Sequence, residues 1–260
     1  MKCLRFKLET PYIVNFRKPF STITILSYPF PPYTTVRGLL ANALGLERDD
    51  YSLQDKFEIS LKPLNEPERF QDMVLMKKLK PPADSKKRKD LMKKLEEHGF
   101  NLDILEKKER ELYERVRRPE STSAPFVKEY VTSVECIVYV LGEENDLWTL
   151  KEAIKNPKRP LYIGGSDDFV ILSEVDDRPI DIEEIERDEI DSIVRINGEV
   201  EPIDKTRIIG RVPYRFSVIN KRKRDYSRED AVVAAPIPGE TLKLKKRIRC
   251  FKVIDENVAF

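Results

Sequence analysis

A chain of 260 residues is long enough to bury a sizeable core, in one large domain or two small ones. Its 40% hydrophobic content is low for a membrane protein and high for a disordered chain. No apolar run approaches the roughly 20 residues that span a bilayer, and the alternation of charge and apolarity over residues 1–9 reads against a secretory leader. With 48 Lys and Arg against 46 Asp and Glu, the formal charge of +2 argues against a uniformly basic coat for nucleic acid.

Lys2 to Glu9 alternates, with Cys3, Leu4, Phe6 and Leu8 apolar, and predicts a strand. The run Tyr28-Pro29-Phe30-Pro31-Pro32-Tyr33 that follows is too rich in proline for helix interior or central strand. Thr34 or Thr35 is placed to cap a helix through its hydroxyl. Val36, Leu39, Leu40, Ala43 and Leu44 then recur at helical spacing, and Gly45 is placed to end that helix. Lys56 to Lys62 and Phe70 to Lys80 predict two strands. Ser85 to Val116 predicts two charged amphipathic helices separated near Gly99. Phe126 to Leu141 predicts a strand, and Asp146 is placed to cap a helix through about Lys155. Arg159 to Ser166 predicts a short strand running into a glycine turn.

Allowing for the insertion, this order is the β-α-β-β-α-β ferredoxin-like plan. The expected class is α+β. A ferredoxin-like domain over residues 1–166 carries an inserted arm at about 81–125, and a β-rich C-terminal lobe follows over 167–260.

The small net charge conceals unequal blocks. Lys77 to Arg118 holds 15 basic and 9 acidic residues, Glu174 to Asp204 holds 3 and 13, and Lys205 to Lys252 holds 15 and 4. Each basic block is either a footprint for phosphates or a solvated Lys/Glu surface. The high charge, with Gln54 and Gln71 as the only glutamines, suggests a thermophile, whose surfaces are charged anyway. Cys3, Cys136 and Cys250 are widely spaced in apolar stretches and read as buried reduced thiols, which places the chain in the cytoplasm. No phosphate-binding loop, zinc-protease motif or nucleophile elbow is present, and no cofactor or metal is expected. Asp167-Asp168 and Asp176-Asp177 are loop acidity or, alternatively, divalent-cation ligands. The single histidine, His98, falls at a helix end in the charged arm.

Three stretches carry a resemblance: Phe16-Arg17-Lys18-Pro19-Phe20, Ser27 to Pro32, and Thr34-Thr35-Val36-Arg37-Gly38-Leu39-Leu40-Ala41-Asn42-Ala43-Leu44-Gly45. Together they resemble the N-terminal signature of the Cas-five family of CRISPR-associated proteins, RAMP-superfamily subunits of type I Cascade complexes. Arg159 to Ser166 resembles a later stretch of that family. The resemblance implies an RRM-related ferredoxin-like fold with an arm between two strands. It also implies a noncatalytic subunit in antiviral defence that holds the 5′ handle of CRISPR RNA (crRNA). Cas-seven backbone subunits and the large subunit would be its partners, target DNA would be met only indirectly, and no membrane would be involved. The alternative is a metal-independent endoribonuclease that processes the precursor RNA, with His98 as the residue to test.

Single-stranded RNA needs cations for phosphates, planar groups for bases and backbone that comes close. Phe16, Arg17, Lys18 and Phe20 mix charge with stacking surface, although both rings equally suit a core. Thr34, Thr35 and Arg37 lie at a helix start, where free N–H groups attract a phosphate. Gly164, Gly165 and Ser166 present backbone N–H groups, or form an ordinary tight turn. Lys77, Lys78, Arg117 and Arg118 offer cations on the arm.

Overall fold

The computed structural model describes the chain except residues 20, 22, 23, 48, 49, 51, 80–84, 118–120, 166, 199, 204, 205, 221, 222 and 226–229. For 76–79, 85, 121, 122, 220 and 223–225 it describes backbone alone. The chain divides into two compact units, one of Met1–Asp72 with Lys128–Phe260 and one of Met73–Val127.

The elements run β1 (Lys2–Val14), β2 (Thr24–Ile25), α1 (Tyr33–Leu44), α2 (Ser52–Lys56), β3 (Glu58–Pro63) and β4 (Arg69–Leu79). Then come α3 (Ser85–Glu97), α4 (Lys107–Arg117), β5 (Ser121–Gly142), α5 (Glu144–Lys155), β6 (Ile171–Ser173) and β7 (Ile180–Asp181). The remainder is all strand: β8 (Glu183–Ile190), β9 (Val194–Arg195), β10 (Thr206–Pro213), β11 (Ser217–Asn220), β12 (Lys223–Asp225), β13 (Asp230–Pro236), β14 (Leu242–Val253) and β15 (Glu256–Val258).

The first unit is built on an antiparallel sheet in which β3 pairs β5, β5 pairs β1 and β1 pairs β6. That is the ferredoxin-like strand order, with α1 and α5 as the two crossover helices. Register puts Leu4 opposite Val140 and Phe6 opposite Val138, and Ile59 and Leu61 face the same two valines from β3. Side chains alternate across a strand, so these residues share one face. They form one core with Val36, Leu39 and Leu40 of α1 and Leu147, Leu150 and Ile154 of α5.

The opposite face is also covered. Cys3 and Tyr139 point there and pack against Val253 and Val258 of the β14–β15 hairpin. The Tyr139 hydroxyl donates to Glu256 at 2.5 Å, and Lys62 reaches the same carboxylate at 2.7 Å. Ile193, Val212, Tyr214, Val233 and Ala235 join the main core, so much of the C-terminal β-region packs on the ferredoxin-like sheet.

Several local expectations are corrected. Residues 159–165 do not supply the fourth strand, because Pro160 lacks an N–H and Gly164 turns the chain at φ 85°; β6 does. No hydroxyl caps α1, which starts at Tyr33 after Pro32, two or three residues earlier than a cap at Thr34 or Thr35 would place it. Glu143, not Asp146, precedes α5. The acidic stretch 183–190 is a strand, paired to the basic β14 through Lys243–Glu189 (3.3 Å) and Arg249–Glu184 (2.5 Å) ion pairs. Ile185 and Ile190 of this strand pack with Leu242 and Cys250 of β14, and opposite charges across the strands add to that pairing.

The second unit contains α3 and α4, joined through a small core of Leu91, Leu95 and Leu105 and a Lys94–Glu109 ion pair at 2.8 Å.

Candidate functional site

The loop before α1 is fastened into the core. Ser27 Oγ accepts from the Phe16 N–H at 2.9 Å and donates to the Tyr28 carbonyl at 3.0 Å, while the Ser27 N–H donates to Glu129 at 2.7 Å. The Phe16, Tyr28 and Phe30 rings are buried. Phe16 therefore packs inside, Arg17 is exposed, and the Lys18 ammonium lies 5.4 Å above the Tyr28 ring. Phe20 lies outside the described residues.

The prolines deliver the chain to α1, whose first turn holds Thr34 and Thr35, both half-buried. Arg37 turns inward and is only 3% exposed. Its guanidinium donates to the Tyr214 and Phe57 carbonyls and lies 5.1 Å from the Tyr214 ring. Burial lowers its pKa from the ordinary arginine value. Arg37 thus ties the Tyr214 segment to α1 and presents no free charge outward. Gly45 closes the helix in the left-handed region, with the Leu46 N–H donating to Ala41 O and the Gly45 N–H to Asn42 O.

The diglycine turn is held from within. A Cβ on Gly164 would meet Asp168 Oδ2 at 2.8 Å and the Asn15 carbonyl at 3.0 Å, so glycine lets the turn close on both. The Gly165 N–H donates to Asp168 at 2.7 Å. Asp168 therefore takes the N–H that a phosphate would use. Asp176, from the other acidic pair, accepts the Arg5 N–H at 2.9 Å. Among the described residues no group of three or more potential metal ligands is present.

Thr34, Thr35, Arg37 and Gly164, far apart in sequence, line one cavity of about 500 Å³. Gly38, Asn42 and Arg159 also line it, and Glu47 and Asp50 form an acidic part of the wall. Arg159 donates to Leu46 O at 2.7 Å and sits 3.6 Å from Glu47. Hydrogen bonds from Ser52 hold the Asp50 carboxyl below its ordinary pKa. The Thr35 and Val36 N–H groups donate to Pro32 O at 2.8 and 3.1 Å, so the threonine hydroxyls in the wall are the donors that suit a phosphate oxygen. The mixed donors and acceptors of Asn42, Glu47, Asp50 and Arg159 suit the edge of a base.

The family model described as "CRISPR-associated protein (Cas_Cas5)" matches residues 3–244. The chain belongs to the Cas-five family. Its fold is that of a solved chain titled "CRISPR RNA-guided surveillance complex", at 13% identity and TM-score 0.51, covering 94% of this chain and 91% of that one. A CRISPR protein from Archaeoglobus fulgidus aligns at 13% identity and TM-score 0.48, covering 99% and 98%. No curated protein matches the chain.

In this Cas-five protein Phe16, Arg17, Lys18 and Gly165 are not part of the cavity wall. Arg117 is exposed at the end of α4 in the second unit. Lys77 and Lys78 are on β4, with side chains outside the described residues, as are Arg118 and Ser166. Sequence reasoning missed Gly38 and Arg159 as cavity residues. A glycine inside a helical pattern was the available signal for the first, and membership of the family-like stretch at 159–166 for the second. No helix among the described residues is long and apolar enough to cross a membrane.

Proposed function

We propose that this Cas-five protein is a noncatalytic RNA-binding subunit of a type I CRISPR interference complex, holding the 5′ handle of the guide RNA in the α1 cavity. Cas-seven backbone subunits and the large subunit are its expected neighbours. The observation that carries the reading is the meeting of the α1 start and the Gly164 turn in one polar cavity. The phosphate goes to the first turn of α1, and the base goes to the rim of Asn42, Asp50 and Arg159. Coverage of the opposite sheet face by β14–β15 favours this route, because bases have no bare sheet there to stack on. His98 is assigned no chemistry: it is exposed, with Nδ1 2.9 Å from the Lys94 carbonyl.

Filter binding on the assembled complex tests this. RNA carrying the repeat-derived handle should bind at least tenfold tighter than RNA with a scrambled handle. Gly38→Leu, which projects into the cavity from an exposed helix position, should abolish that preference. Equal affinity for both RNAs in the unmodified complex would overturn the reading. Cleavage of repeat RNA by the pure protein in EDTA, lost in His98→Ala, would establish the endoribonuclease instead.

A further inference from the structure

A second cavity, of about 950 Å³, lies apart from the α1 cavity and is lined by Arg195, Lys246, Arg247 and Arg249 against Glu186 and Asp230. Its cations are not all committed to the ion pairs that neutralise the rest of β14. Strand β14 loses register with β8 between Lys243 and Ile248. Within that bulge Lys245 pairs with Glu201 at 2.8 Å, and Leu244 bridges to Pro202. Lys246 and Arg247 follow, exposed, and Arg247 has no carboxylate partner among the described residues. A bulge re-aims side chains, and here it takes two cations out of the charge ladder and turns them to the cavity.

The wall adds a planar group. The exposed Arg195 guanidinium lies 4.1 Å over the Tyr214 ring, and Tyr33, also in the wall, meets that ring edge-on at 5.1 Å. A guanidinium supported on one face by an aromatic ring offers its other face to a base. Asp230 is drawn to Arg211 at 3.1 Å. Cations for phosphates beside a stacking plane are the elements of a single-strand track.

We propose that this groove is a second nucleic-acid contact, binding a single-stranded phosphodiester chain without reading its sequence. It is independent of the handle site. RNA and DNA share the chemistry, so both are probed.

The test uses the full-length protein and fluorescence anisotropy with 12-nucleotide oligo(U) and oligo(dT) across a salt series. The double variant Lys246→Glu/Arg247→Glu should weaken binding of one or both probes at least tenfold at 0.1 M salt. It should also reduce the slope of log K against log salt by about 1.4, the value for two lost single-strand phosphate contacts. The probe that loses affinity identifies the strand. Lys246→Gln/Arg247→Gln, which adds no repulsion, should show a smaller loss in the same direction, and circular dichroism should show both variants folded. Unchanged affinity and slope for both probes would overturn the groove. The two sites fail separately. Loss of oligonucleotide binding without any handle preference supports the groove and sinks the handle site. Retained handle preference with unchanged oligonucleotide binding does the reverse.

Discussion

Gly38 stands inside α1, exposed, with nothing within 4 Å of the position a Cβ would take. Glycine in a helix interior costs about 1 kcal/mol relative to alanine, and no internal contact here requires it. Gly38→Ala should therefore raise stability by about 1 kcal/mol in urea denaturation while weakening handle binding, since the methyl group enters the cavity. Higher stability with unchanged RNA affinity would place the glycine outside the site. The cysteines make a second residue-level test. Burial pushes the Cys3 and Cys136 thiols up to about 12, and Cys250 is also buried and raised. The native protein should give no thiol titration at pH 8, with all three thiols reacting in denaturant. Their buried state was legible from their apolar neighbours. Arg37 was legible as a helix-start residue, but not as a buried tie to Tyr214, because that contact spans 177 residues of sequence.

At the level of elements, the β14–β15 hairpin is fastened to the central sheet through Glu256. Burial raises the pKa of that carboxylate. Hydrogen bonds from Lys62 and Tyr139 and the charges of Lys62 and Arg5 outweigh it, leaving the group below its ordinary 4.5. A depressed carboxylate contributes stability that is present above its unfolded value and lost as pH falls through its folded value. Stability should thus decline on acidification below about 4.5, and Glu256→Gln should remove part of that decline. Tyr139→Phe should cost about 1–2 kcal/mol at neutral pH, because a half-buried carboxylate loses a donor; no change in the urea midpoint would show that the Tyr139–Glu256 hydrogen bond does not hold the hairpin. The helices and long strands were legible because their apolar periods are strong: Val36 to Ala43 in α1, Val138 to Val140 in β5. The fourth strand was misplaced by some ten residues, since Leu161 to Ile163 is as apolar as Val170 to Leu172. Strand β8 was hidden because Ile185 and Ile190 are the only apolar residues in its EEIERDEI sequence, and the β14 residues they pack against lie far away in sequence.

At the level of the whole molecule, charges placed far apart in sequence meet in the fold. From the acidic block of 174–204, Glu184, Glu189 and Glu201 pair with cations of β14, and Asp176, Asp181 and Asp191 with Arg5, Lys2 and Lys62, which is why the sum of +2 said so little. Exposed pairs of this kind are each worth about 0–1 kcal/mol. Raising salt from 0.1 to 1 M should hardly move the melting temperature, yet should weaken RNA binding strongly, since phosphate contacts release counterions. A melting temperature that falls in step with RNA affinity would mean that the ion pairs hold the fold itself.

The packing of Val258 and Val253 against Cys3 and Tyr139 also sets an order of events during synthesis. Strands β1, β3 and β5 can pair as soon as they leave the ribosome, but one face of their sheet stays bare until residues 242–258 follow. At about 5–20 residues per second, the nascent chain carries an uncovered apolar surface and an accessible Cys3 for several seconds. Chaperone contact belongs to that interval, and a late stop codon would make the exposure permanent.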